Sequence, residues 1–256
     1  MKQKILLSGK SLSELEDFVL SLGESKFRAK QLHSWLYEKS ITDFSQMTNI
    51  SKDFKAKLEQ TAKVTETLIK QRQISKDGTI KYLIEFPDGK MTECVLMRFD
   101  NRSNLTACVS SQVGCAVGCK FCATGRLGFD RNLTAQEIVE QILTIQRDTG
   151  LKVTNVVYMG QGEPLLNLDN VLKSIDILNQ DLQIGIRRVT VSTSGIVKGI
   201  IELAKTKKPI TLALSLHAPD SELRAKIMPI DQKYPIEKVM NALRFWMKET
   251  DRRITI

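Results

Sequence analysis

The 256-residue sequence predicts an α/β protein: a small helical segment and a β-hairpin linker, followed by a parallel sheet or α/β barrel. Three observations carry this prediction. From residue 105 onward, apolar strand-like runs alternate with helical patterns. Residues 11–65 show helical spacing only. Between these regions lie two Asp-Gly pairs, at 77–78 and 88–89, flanked by apolar residues.

The helical segment opens on Ser11-Leu12-Ser13-Glu14, which has capping-box spacing, and Leu15, Phe18, Val19 and Leu22 follow at helical intervals. Phe27, Leu32, Trp35 and Leu36 mark a second helix, and Phe54 and Leu58 a further one. In the stretch from 66 to 98, Leu68, Ile74, Ile80, Tyr82, Ile84 and Phe86 are punctuated by Asp77-Gly78 and Pro87-Asp88-Gly89, the turn chemistry of an antiparallel hairpin sheet. The expected division is therefore 1–65, a basic helical accessory domain; 66–100, the hairpin linker; and 101–256, the α/β core.

In the core, strands are expected at Thr106–Ser110, Asn155–Met159, Val189–Ser192, Thr211–Leu216 and Arg253–Ile256. Helical patterns fall at 134–149, 168–179, 196–206 and 235–249. Thr134 and Glu137 open the first of these, with Ile138, Ile142 and Ile145 on one face. Pro235 suits the first position of the last helix, which buries Ile236, Val239, Met240, Leu243 and Trp246. Strands alternating with helices place function on the loops after the strands.

Hydrophobic content of 42% and charged content of 26% are ordinary for a globular protein. No run approaches the roughly 18 apolar residues of a membrane span. The start, Met1-Lys2-Gln3-Lys4-Ile5-Leu6-Leu7, holds too short an apolar run for a leader, so a cytoplasmic protein without a membrane partner is expected. Net charge is +9, and residues 1–76 hold 14 Lys+Arg against 9 Asp+Glu. That balance suits a polyanionic partner and equally a well-solvated surface.

Five cysteines, Cys94, Cys108, Cys115, Cys119 and Cys122, fall within 29 consecutive residues. In a reducing compartment such clustering points to metal or redox chemistry rather than to a disulfide framework. Cys115, Cys119 and Cys122 form a C-x3-C-x2-C run just after the first core strand, the donor set for a [4Fe–4S] cluster with three irons held by protein. Gly114 and Gly118 let the loop curl. A structural zinc site wants a fourth ligand, and the only histidines are His33 and His217, with Cys108 seven residues upstream. The fourth iron is free to bind the amino and carboxylate groups of S-adenosylmethionine. Electron transfer from the cluster then yields a 5′-deoxyadenosyl radical, a reagent needed only for an inert carbon.

Five motifs then occur in order: Cys108-Val109-Ser110-Ser111-Gln112-Val113-Gly114-Cys115 with the cluster loop; Gly128-Phe129 and Arg131-Asn132-Leu133-Thr134; Met159-Gly160-Gln161-Gly162-Glu163-Pro164-Leu165-Leu166-Asn167; Thr190-Val191-Ser192-Thr193-Ser194-Gly195; and Leu214-Ser215-Leu216-His217-Ala218-Pro219. Together they closely resemble the bacterial dual-specificity RNA methyltransferases, radical S-adenosylmethionine enzymes acting on carbon 2 of adenine in 23S rRNA and certain tRNAs. The resemblance implies a partial (β/α)6 barrel, an RNA-binding first domain, and an external one-electron donor such as flavodoxin or ferredoxin. A monomer is expected beside so large a substrate.

By the same resemblance, Gly162 and Glu163 receive the methionine amino group, while Ser192, Ser215, Leu216 and His217 contact the rest of S-adenosylmethionine. Taken alone, Gly-x-Gly-Glu reads as a turn, and His217 as a structural histidine. Glu93 matches the proposed general base, although a hairpin carboxylate is by default a solvated one. Cys94 has no matching role and reads as a small buried residue. Cys108 matches the resolving thiol, which frees the product by forming a disulfide with a methyl-carrying cysteine near the family's C-terminus.

The sequence stops in what reads as the fifth barrel strand, so the sixth strand, last helix and methyl-carrying cysteine are expected beyond Ile256. A chain of these 256 residues alone is expected to bind cluster and S-adenosylmethionine without completing RNA methylation. Gln161 stands where the family more often has methionine, with little effect expected. Two alternatives remain: the sister activity on carbon 8 of adenine, and a non-catalytic RNA-binding relative.

Overall fold

The computed structural model describes residues 4–99 and 102–256. Met1-Lys2-Gln3, part of the short apolar start, and the expected boundary at 100/101 lie outside the described residues.

The first segment is helical, as its capping signals require. Strand β1 (Ile5–Leu6) precedes α1 (Leu12–Ser21), whose N-cap Ser11 and Glu14 form the full capping box. Helix α2 (Lys26–His33) runs into a π-helical turn over Ser34–Glu38, and α3 (Lys52–Thr61) leads into β2 (Ala62–Lys63), which pairs in parallel with β1. Phe27, read above as an apolar position of the second helix, is exposed; Ala29 and Leu32 make the buried face instead. The segment is tied to the rest by polar contacts as well as by packing. His33 Nε2 lies 2.8 Å from Asp181 Oδ1, the Leu12 N–H donates to the same oxygen at 3.1 Å, and Lys173 pairs with Glu14 at 2.6 Å.

The hairpin region comprises β3 (Leu68–Ile74), β4 (Ile80–Glu85) and β5 (Met91–Phe99), followed by the first core strand, β6 (Arg102–Cys108). A short antiparallel ribbon, β7 (Gln112–Gly114) with β8 (Phe129–Asn132), brackets the cysteine loop and the four-residue helix α4 (Ala123–Arg126). Next come α5 (Ala135–Thr149), β9 (Asn155–Tyr158), α6 (Leu168–Gln180), β10 (Val189–Thr193), α7 (Val197–Lys205), β11 (Thr211–Leu214), α8 (Ser221–Ile227), α9 (Ile236–Thr250) and β12 (Ile254–Thr255).

One eight-stranded sheet runs in the order β12-β11-β10-β9-β6-β5-β4-β3. Strands β6, β9, β10, β11 and β12 are mutually parallel, and the sheet is open, the partial-barrel arrangement expected. Strands β3 to β5 extend this same sheet in antiparallel fashion through β5·β6. The core lies on the helix-covered face, where Leu96, Ala107, Val156, Val191 and Leu212 pack with α5, α6, α7 and α9 residues such as Ile142, Ile175, Leu203 and Trp246. Two expected boundaries move. Strand β11 ends at Leu214 rather than Leu216, because its ladder with β10 ends at Thr193 opposite Leu214; His217, at φ +60, lies outside strand geometry. Pro235 stands just outside α9, at its N-cap, with ψ 154. No helix among the described residues is long and apolar enough to cross a membrane.

Candidate active site

The cysteine loop is shaped by its glycines. Gly114 has φ +73, and a Cβ there would lie 2.0 Å from the Gly128 carbonyl oxygen, which accepts the Cys115 N–H at 2.8 Å. The loop then turns tightly: Cys122 N–H donates to Cys119 O at 3.1 Å, and Gly125 presses against the Cys119 backbone. Lys120 N–H donates to Ile227 O at 2.9 Å, pinning the loop to the end of α8.

Cys115, Cys119 and Cys122 are half-buried free thiols. Burial pushes Cys115 upward, and Cys119 to about 11, and the negative charge of neighbouring cysteines adds to both. The N–H groups of Val117 and Gly118 oppose the rise at Cys115. Among the described residues, no three His, Cys, Asp or Glu side chains are gathered as a single-ion site. The donor set nevertheless fits a cluster: three sulfurs on one loop, mutually repelling as thiolates, with backbone N–H groups directed at one of them. Cationic iron relieves that repulsion.

All the parallel strands present their C-terminal ends on the side of this loop. After β9, Gly162 takes φ +99 and packs on Gln112, where a Cβ would meet Gln112 Cβ at 2.6 Å. Glu163 is buried, and burial raises its carboxyl above the ordinary range. Three donors of the chain hold that carboxylate: Leu165 N–H at 3.1 Å to Oε1, and the Ser194 N–H and Oγ, both at 2.7 Å to Oε2. Near the end of β10, Ser192 Oγ lies 3.3 Å from Ser215 Oγ, just after β11. Leu216 is partly buried, and exposed His217 stacks edge-on against Phe121 of the cysteine loop, with ring centroids 4.8 Å apart. Met159, Ser192, Ser215, Leu216 and His217 line an open cleft of about 680 Å³.

Glu93 and Cys108 reach the same region through strand register. Val95 pairs with Cys108, Cys108 with Val157, Val157 with Thr190, and Ser192 with Ala213. Side chains alternate along strands, so Glu93, Cys108 and Ser192 share the face away from the helices. Because β5 is antiparallel to β6, Glu93 sits beside the end of β6, and its backbone carbonyl accepts the Ser110 hydroxyl at 2.6 Å. Its carboxylate pairs with Lys81 at 3.0 Å. Cys108 is pushed by burial to about 11, against a Met159 N–H that lowers it. Cys94 points to the opposite, buried face. All five cysteines are free, so no disulfide joins any of them.

Three site residues have no role that the sequence assigns, although Ser110 and Ser194 fall within two of its motifs. Ser110 Oγ also accepts the Gln161 N–H at 2.9 Å, joining β5, β6 and the loop after β9. Ser194 bridges to Glu163, and Arg224 of α8 is fully buried against the loops after β10 and β11. A lone Ser in a strand-end run and an Arg on a polar seven-residue helix read as solvated residues.

Comparisons with known proteins agree with this architecture. The family described as "Ribosomal RNA large subunit methyltransferase N-terminal domain" matches residues 5–64, and the "Radical SAM superfamily" matches residues 109–252. A probable dual-specificity RNA methyltransferase RlmN of Caldanaerobacter subterraneus is 46% identical over 252 residues, covering 97% of this chain and 73% of its own length. The protein of that name from Thermotoga neapolitana is 46% identical over 249 residues, covering 96% of this chain and 72% of its own. The crystal structure of a radical SAM methyltransferase from Sphaerobacter thermophilus superposes with a TM-score of 0.91 at 39% identity, covering 98% of this chain and 74% of that one.

Proposed function

The chain belongs to the dual-specificity RNA methyltransferases of the radical S-adenosylmethionine superfamily, and we propose that its site serves the methylation of carbon 2 of adenine in 23S rRNA and in tRNA, with the methyl-carrying cysteine supplied from outside these 256 residues. Enzymes of this superfamily use a [4Fe–4S] cluster and S-adenosylmethionine. When bound, the pair supplies the radical chemistry that an inert aromatic carbon requires.

The observation that carries the proposal is the shared sheet face. Glu93, Cys108 and Ser192 lie on it, beside the cysteine loop at the C-terminal end of the parallel strands. Cys115, Cys119 and Cys122 hold the cluster. Backbone of the Gly160–Gly162 turn receives the methionine ammonium, while the buried Glu163 carboxylate fixes that turn's exit and contributes negative charge nearby. Ser192 and Ser215 offer paired hydroxyls to the ribose or carboxylate, and His217 an exposed imidazole. Glu93 accepts the proton that adenine must lose, with Lys81 offsetting its charge when ionised. Cys108 is the resolving thiol; its burial keeps it protonated until an acceptor is in place. Residues 1–65 serve as the RNA-binding domain, 66–100 as the linker carrying Glu93, and 101–256 as the catalytic core. A flavodoxin- or ferredoxin-like donor, a monomeric state and a cytoplasmic location complete the reading.

The test is nucleoside mass analysis of 23S rRNA and tRNA from cells with and without the gene for this chain. Loss of 2-methyladenosine from both RNAs, restored by complementation but not by a Glu93→Gln copy, is the expected result. Loss of 8-methyladenosine instead, or unchanged nucleosides, overturns the carbon 2 assignment.

A further inference from the structure

We infer that Arg224 is a positioning residue for S-adenosylmethionine, a buried guanidinium that sets the relative placement of the three loops expected to hold it. Its contacts run directly to the loops after β10 and β11, and through Ser194 to the loop after β9. Nε donates to Leu216 O at 3.0 Å, and Nη2 donates to Ser215 O at 3.2 Å and to Ser194 O. Nη1 donates to Asp231 Oδ1 at 2.8 Å, and both partners of this ion pair are buried. Ser194, held by Arg224 through its carbonyl, holds Glu163 through its N–H and hydroxyl. One chain of charge-assisted bonds thus runs Asp231–Arg224–Ser194–Glu163, joining the loops after β9, β10 and β11.

The helix that carries Arg224 also touches the cysteine loop, through Ile227 O and the Lys120 N–H. A guanidinium suits this role because its planar fork can serve several carbonyls at once, which an ammonium on a flexible stem cannot. Three of its four partners are backbone carbonyls at strand ends, and the fourth is the buried Asp231 carboxylate. Its loss would therefore change where Ser192, Ser215 and His217 point more than whether the sheet forms.

The inference rests on the proposed function, so its test separates the two. Arg224→Lys keeps the charge opposite Asp231 but cannot span the three carbonyls. Ser194→Ala removes only the hydroxyl bonded to Glu163, leaving the Ser194 N–H on that carboxylate and the Asp231–Arg224 pair intact, so it stays informative should the first variant not fold. Each variant and the wild-type chain are reconstituted anaerobically with iron and sulfide. Iron content and cluster absorption, equilibrium dialysis of S-adenosylmethionine, and KM and kcat for its cleavage to 5′-deoxyadenosine are then measured.

Losing charge-assisted bonds should weaken S-adenosylmethionine binding and raise KM about 10- to 100-fold in Arg224→Lys, and a few-fold in Ser194→Ala. Iron uptake should stay at the wild-type level and kcat should fall far less than KM rises. Wild-type affinity and KM in the folded variants would overturn the inference, as would a loss of iron uptake in step with binding. A wild-type protein that binds S-adenosylmethionine but never cleaves it counts against the radical reading, while the Arg224 inference is still judged by dialysis. A wild-type protein that takes up iron without binding S-adenosylmethionine overturns both.

Discussion

Two glycines of the cysteine loop isolate how much of the site's shape is steric. Gly114 and Gly118 have nearly the same backbone conformation, φ +73 and +68, so an alanine at either position suffers about the same left-handed penalty, roughly 1–2 kcal/mol. Their surroundings differ. A Cβ at Gly118 meets nothing within 4 Å, whereas a Cβ at Gly114 would lie 2.0 Å from Gly128 O and 3.0 Å from Gly128 C. The obstacle is backbone, not the end of a side chain that can swing away. Relief means separating the two strands of the ribbon, at about 1–3 kcal/mol of overpacking, together with the Cys115–Gly128 hydrogen bond, worth about 1 kcal/mol. Gly114→Ala should therefore cost about 3–6 kcal/mol against about 1–2 for Gly118→Ala. Urea unfolding of the metal-free protein, followed by circular dichroism, measures the pair. Iron uptake after reconstitution should fall in the same order. Equal losses in the two variants would refute the reasoning, because they would leave backbone conformation as the only cost.

Two further outcomes follow from buried groups. Cys108 is raised to about 11, so its protonated form is the one the fold favours. Alkylation followed by peptide mass mapping should find it slow at pH 8 and quickening roughly tenfold per unit up to about 11. Proton loss there works against folding, so stability tied to this thiol is full below its ordinary range and is lost as pH rises through about 11. A pH-independent rate would contradict this. Tyr158 and Ser174 form a buried hydroxyl pair at 2.7 Å, and Ser174 Oγ also donates to Val171 O at 2.8 Å. Tyr158→Phe leaves Ser174 satisfied and should cost about 1 kcal/mol. Ser174→Ala strands the tyrosine hydroxyl and should cost about 1–3 kcal/mol. The double variant should cost less than the sum in denaturant titrations, and strict additivity would show that the pair is not coupled.

What was legible in the sequence is what is local. Capping boxes at Ser11/Glu14 and Thr134/Glu137 act within four residues and fixed two helix starts as expected. Period-2 and period-3.6 patterns placed β9, β10, α5 and α6 for the same reason. The cysteine spacing is local in the same sense, since one short loop carries all three thiols. What was hidden depends on distant partners. The β7·β8 ribbon is three residues against four, too short to show alternation. The strand pattern ran on through Leu216 because hydrophobicity does not record where the partner strand β10 ends. Arg224 and Ser194 act through backbone carbonyls and a carboxylate on other loops, which no periodicity encodes.

The antiparallel extension of the sheet has an evolutionary consequence. Glu93 reaches its place only because β5 is in register with β6, through Val95 opposite Cys108. The two hairpin turns, at 77–78 and 88–89, lie beyond the paired residues, so they can lengthen or shorten without moving that carboxylate. Inside β5 the arithmetic is stricter. A one-residue insertion between Glu93 and Val95 would swing the acid to the helix-covered side, whereas a two-residue change would restore its facing while moving it by one pleat. Relatives that carry length changes in this strand should therefore differ by even numbers, a parity rule set by the pleat and indifferent to the chemistry it serves.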